Sequence, residues 1–155
     1  MSMLRDQRDL LSAFNAEGVE YMVVGGHAVN AYGVPRLTKD LDVFIRASRS
    51  NSERVFRALA RFGVPLEGLS ATDFCKNPDE IFQIGVEPSR IDVLQGLSGV
   101  DFESAWSRRV WFEVEEGLKA PFLSLEDLLA NKQTTGRPQD LADLHHLEKM
   151  KDLKD

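Results

Sequence analysis

The sequence predicts an α/β (α+β) fold, a mixed sheet flanked by helices with further helices gathered at the C-terminus. Three observations carry that expectation. Short runs rich in β-branched and aromatic residues, such as EYMVVGG and DLDVFI, alternate with segments whose apolar residues recur at helical spacing. Beyond LSLEDLLANK the pattern is helical only, which places helices at one end of a sheet. A chain of 155 residues without internal repeat, low-complexity tract or long linker is most simply one domain, 1–155, with its core over about 19–115 and C-terminal helices over about 124–150.

Taken in order, Leu4, Leu10, Leu11 and Phe14 fall at helical spacing, and Gly18 stands where a left-handed C-cap would end that helix. EYMVVGG reads as a short buried strand. HAVNAY follows as a short helix, opened by Gly25-Gly26 and closed by Gly33, with Pro35 preventing continuation. VPRLTK is a loop. DLDVFI is a second strand, with Leu41, Val43 and Ile45 on one face and Asp40, Asp42 and Phe44 on the other. Residues 51–62 form an amphipathic helix that turns Val55, Leu59 and Phe62 inward and Arg54, Arg57 and Arg61 to another face. EIFQIGV and RIDVLQG are strands joined as a hairpin by a turn around Pro88, and VWFEVEEG adds a last strand. The tail holds two helices broken at Gly136 and Pro138, the first N-capped by Ser124 with Asp127 as a weaker capping-box acid.

Apolar residues at 43% and charged residues at 28% suit a soluble globular protein. The net charge of −6 disfavours a protein that coats nucleic acid or a membrane surface, while leaving room for a local basic groove. Cys75 is the single cysteine, which excludes an intramolecular disulfide or a thiolate metal cluster. Neither a signal-peptide pattern nor an apolar run of about 18 residues is present, so a cytoplasmic location is expected.

Two aspartates on one strand are the anomaly. Asp40 and Asp42 project from the same face, about 7 Å apart along the strand. Two ionised carboxylates beside apolar neighbours repel and lose hydration, so the arrangement needs a shared cation or a proton on one of them. A divalent ion meets that need, and Mg2+ favours a few carboxylates with positions left for water and phosphate oxygens. Asp92, within RIDVLQG, is a candidate third ligand. An isolated D-x-D is more often a pair of ordinary strand-end acids, but Gly25-Gly26 change the balance. Glycines between a strand and a helix expose backbone N–H groups at the positive end of the helix dipole and let a phosphate approach without Cβ interference. No G-K-[ST] follows, so this is not a Walker loop. Acid pair and phosphate cradle together define a place for a metal–triphosphate.

Other residues are weaker. Lys132 sits on a helix whose Leu125, Leu128 and Leu129 face the core, and on residue type alone it belongs to a solvated face. Adjacent His145 and His146 point about 100° apart and make a poor metal pair, with His145 expected to pack beside Leu141. The Arg54, Arg57 and Arg61 stripe reads as a solvated face in preference to a surface for an anionic acceptor.

The stretch GGHAVNAYGVPRLTKDLDV resembles the signature of the DNA polymerase β-like nucleotidyltransferases: two small residues, a short helix, then D-x-D. Its GG-H-A wording and TKDLDVFI look most like the AbiEii-type bacterial nucleotidyltransferases, whose members include toxins of toxin–antitoxin systems. The resemblance continues through RIDVLQG and through LSLEDLLANKQTTGRPQDLADLHHL, similar to that family's K…R-x-x-D-x-x-D pattern, and so covers most of residues 20–148. It implies a polymerase β-like fold and transfer of a nucleoside monophosphate from an NTP, with Mg2+ or Mn2+, to an acceptor hydroxyl. It further implies that Asp40, Asp42 and Asp92 hold metal, Asp92 also helping to deprotonate the acceptor, while Gly25 and Gly26 cradle the β/γ-phosphates. Lys132 gains a catalytic, phosphate-directed role. Thr38 and Lys39 are placed to contact the triphosphate, Lys39 equally to balance nearby acids, and His27 and Arg137 complete the nucleotide-binding set. Asp140 and Asp143 serve as helix caps or as partners of Lys132.

The implied acceptor is an RNA 3′ end, such as that of tRNA, or a protein side chain, with a cognate antitoxin as a further partner and no membrane. Small-molecule relatives that modify lincosamide antibiotics open with GG-W-A, whereas His27 follows the glycines here, and no second domain to enclose a drug is evident. A catalytically silent nucleotide-binding partner protein is a third reading, opposed by the intact acids. Minimal antitoxin nucleotidyltransferases fit less well, because they open with G-S and lack the C-terminal K…D helices.

Overall fold

The computed structural model describes residues 3–86 and 89–154. Its strands are β1 (Tyr21–Val24), β2 (Leu41–Ile45), β3 (Ile81–Ile84), β4 (Ile91–Leu94), β5 (Val110–Glu115) and β6 (Leu118–Phe122). The helices are α1 (Arg5–Ala16), α2 (Gly25–Ala31), α3 (Arg49–Phe62), α4 (Phe102–Ser107), α5 (Leu125–Thr135) and α6 (Pro138–Lys154). The expected mixed sheet is present, in the order β3-β4-β2-β1-β6-β5. Its β1–β2, β3–β4 and β5–β6 pairs are antiparallel, and β2–β4 and β1–β6 are parallel.

Burial explains why β1 is apolar throughout. All four of its residues are inaccessible, because both faces of this central strand are covered. Tyr21 meets Phe14 of α1 edge-to-face at 5.2 Å, and α1 packs against α3 over the same side. Helix α3 begins at Ser48, whose hydroxyl accepts from the Asn51 N–H, and ends at Gly63 in the left-handed conformation. The expected Ser124 cap on α5 and the break at Gly136 are both observed.

Strand β6, helix α4 and a 3-10 turn at Asp73–Cys75 were not expected from the sequence. Strand β6 contains Lys119 and Pro121, a poor strand composition, yet it forms because Phe122 pairs with Val23 and the hairpin from β5 closes at Gly117, φ +81°. Helix α4 is too short for apolar periodicity to register, and is started by Asp101, which accepts from the Ser104 N–H. The turn expected at Pro88 lies outside the described residues, while the antiparallel β3–β4 pair it would join is present. His145 does not pack into the protein beside Leu141: both are exposed, because α6 turns Asp140, Asp143 and Leu147 inward. Among the described residues no helix is long and apolar enough to cross a membrane.

Candidate active site

Strand register assembles the acids. Val24 pairs with Asp42 across the antiparallel β1–β2 ladder, and Asp42 pairs with Asp92 across the parallel β2–β4 ladder. Partners in register project from the same face, so Asp42 and Asp92 stand side by side at the end of β1. Asp40 lies one residue before β2 begins, where the backbone is held by the Leu41 N–H donating to the Arg90 carbonyl at 3.0 Å. Burial first, then the charges of Asp92 and Asp40, push the Asp42 carboxyl up to about 6, against the opposing pull of Arg90 and Lys132. Oδ1 of Asp40 is buried without a hydrogen-bond partner.

The glycines fit against this cluster. Gly25 has φ +69°, and the Asp42 carboxylate occupies the space a Cβ would need, so a side chain there is excluded twice over. At Gly26 an added Cβ would meet the Thr38 hydroxyl oxygen at 2.6 Å. Helix α2, which follows, has only seven residues, so its dipole is short and the local backbone N–H groups matter more than the helix as a whole. Gly26, Arg36, Thr38, Lys39, Asp40 and Asp42 line an open hollow of about 350 Å3. A larger groove of about 550 Å3 between α1 and α3 lies among Asp6, Asp9 and Arg61 and carries none of these groups.

A second ionic cluster backs the first. Lys132 is 4% exposed, not on a solvated face, and its Nζ lies 3.2 Å from both Asp140 Oδ1 and Asp143 Oδ2. Arg36 binds Asp143 at 2.7 Å, and Arg137 binds Asp140 at 2.7 Å. Burial favours a neutral Asp140, but hydrogen bonds from Arg137, Thr135 and Lys132 prevail and hold its carboxyl well below the usual range. The charge of Lys132 reaches Asp42, so the two clusters are electrostatically joined.

The structure therefore gathers Gly25, Gly26, Thr38, Lys39, Asp40, Asp42 and Asp92 at one end of the sheet. Lys132 stands behind them, engaged with aspartates. Arg137 is on the outer side of Asp140, its side chain 75% exposed. His27 is turned inward and 1% exposed; burial pushes its imidazole down to about 4, partly offset by Asp40. Both its ring nitrogens lack partners, and it faces a separate cavity of about 200 Å3 walled by Asn30, Phe112 and Phe122. The arginine stripe on α3 is tied up locally, Arg57 and Arg61 by Glu17 and Arg54 by Glu20.

Three contributors were not singled out from sequence. Arg90 bridges Asp40 Oδ2 at 3.2 Å and Asp92 Oδ1 at 3.0 Å. Arg36 joins the hollow to α6. Gln7, fully buried on α1, donates its amide to the Lys39 carbonyl at 2.6 Å and so fixes the loop before Asp40. Arg90 carried a signal, preceding Asp92 by two positions in RID; Arg36, whose partner is Asp143, and Gln7 carried none.

Hard carboxylate oxygens, one of them orphaned, beside an open hollow suit a hard divalent cation. Among the described residues, however, no three such side chains converge on one point able to hold a metal. The Arg90 guanidinium stands between Asp40 and Asp92.

A family model described as a nucleotidyltransferase of unknown function (DUF6036) matches residues 2–154. Curated protein sequences give no significant match. The lincosamide antibiotic adenylyltransferase LnuA, solved with lincomycin bound, is similar in structure with a TM-score of 0.61 at 16% identity, over 97% of this chain and 99% of that one. A Thermotoga maritima protein provisionally described as a nucleotidyltransferase gives 0.54 at 18% identity, over 99% and 94%. An antigenic nucleotidyltransferase-like protein from Paracoccidioides brasiliensis gives 0.52 at 16%, over 99% and 79%. At such identities the likeness shows a shared fold, the polymerase β-like nucleotidyltransferase fold.

Proposed function

The chain belongs to the DUF6036 nucleotidyltransferase family, and from that premise we propose that it moves a nucleoside monophosphate from an NTP to a hydroxyl on an RNA 3′ end, such as that of tRNA, or on a protein. The observation that carries this reading is Asp42 and Asp92 in register beside Gly25, with Asp40 on the rim of the same hollow. Asp40 and Asp42 would hold Mg2+ or Mn2+, which when bound neutralises charge on the triphosphate and on the oxygens entering and leaving phosphorus.

The chain's own residues account for the rest. Gly25 and Gly26, whose missing side chains make room for Asp42 and Thr38, would offer backbone N–H groups to phosphate oxygens. Thr38 and Lys39, on the rim of the hollow, would bind and orient the triphosphate. Asp92, abreast of Asp42, would take the proton of the acceptor hydroxyl as it attacks the α-phosphorus, and pyrophosphate would leave on the opposite side. Lys132 supplies positive charge from behind Asp42, and Arg137 lies nearer solvent for a nucleotide contact. His27 would act on the nucleotide only through its neighbours, since its ring is buried. The AbiEii-type toxin role, with a cognate antitoxin, rests on the sequence resemblance.

A small-molecule acceptor is the second reading, favoured by the likeness to the lincomycin-bound LnuA structure. One experiment separates the two: each α-phosphate-labelled NTP is incubated with Mg2+ and, in turn, total RNA, soluble protein, or lincosamides and aminoglycosides. Label on a discrete RNA or protein band that is absent with Asp40→Asn/Asp42→Asn supports the first reading. Label on a drug replaces it with the second. NTP binding without transfer to any pool would leave only a silent, partner-binding protein.

A further inference from the structure

We propose that Arg90 is an internal cation of the acid cluster, holding Asp40 and Asp92 together until a divalent ion displaces it. This rests on the nucleotidyl-transfer reading and concerns how the site is kept before metal arrives.

One guanidinium spans both acids. Nη2 of Arg90 lies 3.2 Å from Asp40 Oδ2 and 3.3 Å from Asp92 Oδ2, while Nε donates to Asp92 Oδ1 at 3.0 Å. The planar fork suits this double grip in a way a lysine ammonium does not. The backbone of Arg90 is fixed, because its carbonyl accepts the Leu41 N–H between Asp40 and Asp42. Any adjustment therefore falls to the side chain, which is 30% exposed.

A guanidinium and a divalent ion cannot both occupy the space between these carboxylates. At a few ångströms two like-charged cations repel by several kcal/mol even in a partly screened site. With Arg90 in place the carboxylates do not converge on a common point, yet Asp40 Oδ1 remains a buried acceptor without a donor. That combination describes a ligand set held ready and blocked by its own counter-ion. The contrast with Lys132 is direct: its side chain is 6% exposed and its ammonium is clasped by two carboxylates that are themselves buried, so it has no exit.

The alternative is that Arg90 stays in place when metal binds and merely orients the ligands, as carboxylate partners do around many metal sites. The two differ in sign. Mn2+ binding to the metal-free, full-length protein is measured by calorimetry for the natural chain, Arg90→Gln and Arg90→Lys. Displacement requires Arg90→Gln to bind Mn2+ roughly tenfold more tightly, the scale of one like charge removed from a partly screened site. Arg90→Lys, which keeps the charge but loses the fork, should bind a fewfold more tightly and answers the question if the glutamine variant does not fold. Without metal, both variants should melt below the natural chain, and Mn2+ should narrow that gap. Equal or weaker Mn2+ binding in the variants overturns displacement while leaving nucleotidyl transfer intact. No Mn2+ binding by any of the three proteins overturns both.

Discussion

Asp42 and Asp140 are both enclosed aspartates, yet the first is pushed up to about 6 and the second is held well below the carboxylate range. Burial acts in the same direction on each, raising the carboxyl, so the difference lies in the neighbours. Asp42 has Asp40 and Asp92 beside it, and those acids share the single guanidinium of Arg90. Asp140 and Asp143 share Lys132, Arg36 and Arg137. The C-terminal cluster is complete as it stands. At the end of β1, among the described residues, Arg90 is the one side chain ion-paired to Asp40 and Asp92, and an external cation there belongs to the proposed function.

The largest expected effect tests Asp42 directly. Asp42→Asn should lower nucleotidyl transfer roughly a thousandfold or more, on the scale seen when a charge-stabilising group is removed from a reacting centre. The chain should remain folded, as judged by an unchanged circular dichroism spectrum. A folded variant that transfers at the natural rate would remove Asp42 from the site.

At the complete cluster the same kind of change should strike stability. Asp140→Ala leaves the buried Lys132 ammonium with Asp143 alone and should lower the unfolding free energy by about 3 kcal/mol in urea titration. Combining it with Lys132→Met removes the stranded charge, so the double variant should be more stable than Asp140→Ala. If the losses simply add, the pair is not the structural unit its geometry describes.

How much of this contrast was legible before the structure depended on whether a residue's role is local. Asp40 and Asp42 on one face follow from strand period and hydropathy, because side-chain alternation is fixed by the backbone, whereas Asp92 stands beside Asp42 through the β2–β4 register. The glycines were legible for a similar reason, since only they accept the conformation at Gly25 and the close approach at Gly26. The C-terminal cluster was less so. A lysine on a helix belongs by default to solvent, and only the packing of α5 on α6 shows Lys132 enclosed by acids eight and eleven positions on. Arg36 and Gln7 act across long chain separations, to Asp143 and Lys39, which no periodicity encodes. Strand β6 was hidden by Pro121, its formation decided by the neighbouring β1 and β5 rather than by its own residues.

The proton on Asp42 offers a subtler test of the same contrast. Its folded value, about 6, lies above the unfolded value of 3.8. A carboxyl raised in this way adds stability that is fully present below about pH 3.8 and lost as pH rises through about 6. Asp42→Asn should therefore be more stable than the natural chain at pH 8 in the presence of a chelator, by on the order of 2 kcal/mol. The advantage should vanish by pH 4. Asp140→Ala should behave oppositely, its deficit shrinking as pH falls, because a lowered carboxyl contributes above its unfolded value. A pH-independent difference for Asp42→Asn would mean that the carboxyl is not strained by its neighbours.

The smallest effect is expected where carboxylates and arginines meet in water. Glu17 accepts from Arg57 and Arg61, and both arginine side chains are 57% exposed. Such pairs gain little, because solvent screens them and ordering two long side chains offsets the attraction. Glu17→Gln should leave the urea midpoint unchanged within error and should not alter transfer to any acceptor. A marked gain in transfer to RNA would mean that Glu17 normally masks the arginine stripe, and that α3 is part of the acceptor surface after all. A marked loss of stability would instead place Glu17 with Asp140, among acids whose partners hold the fold.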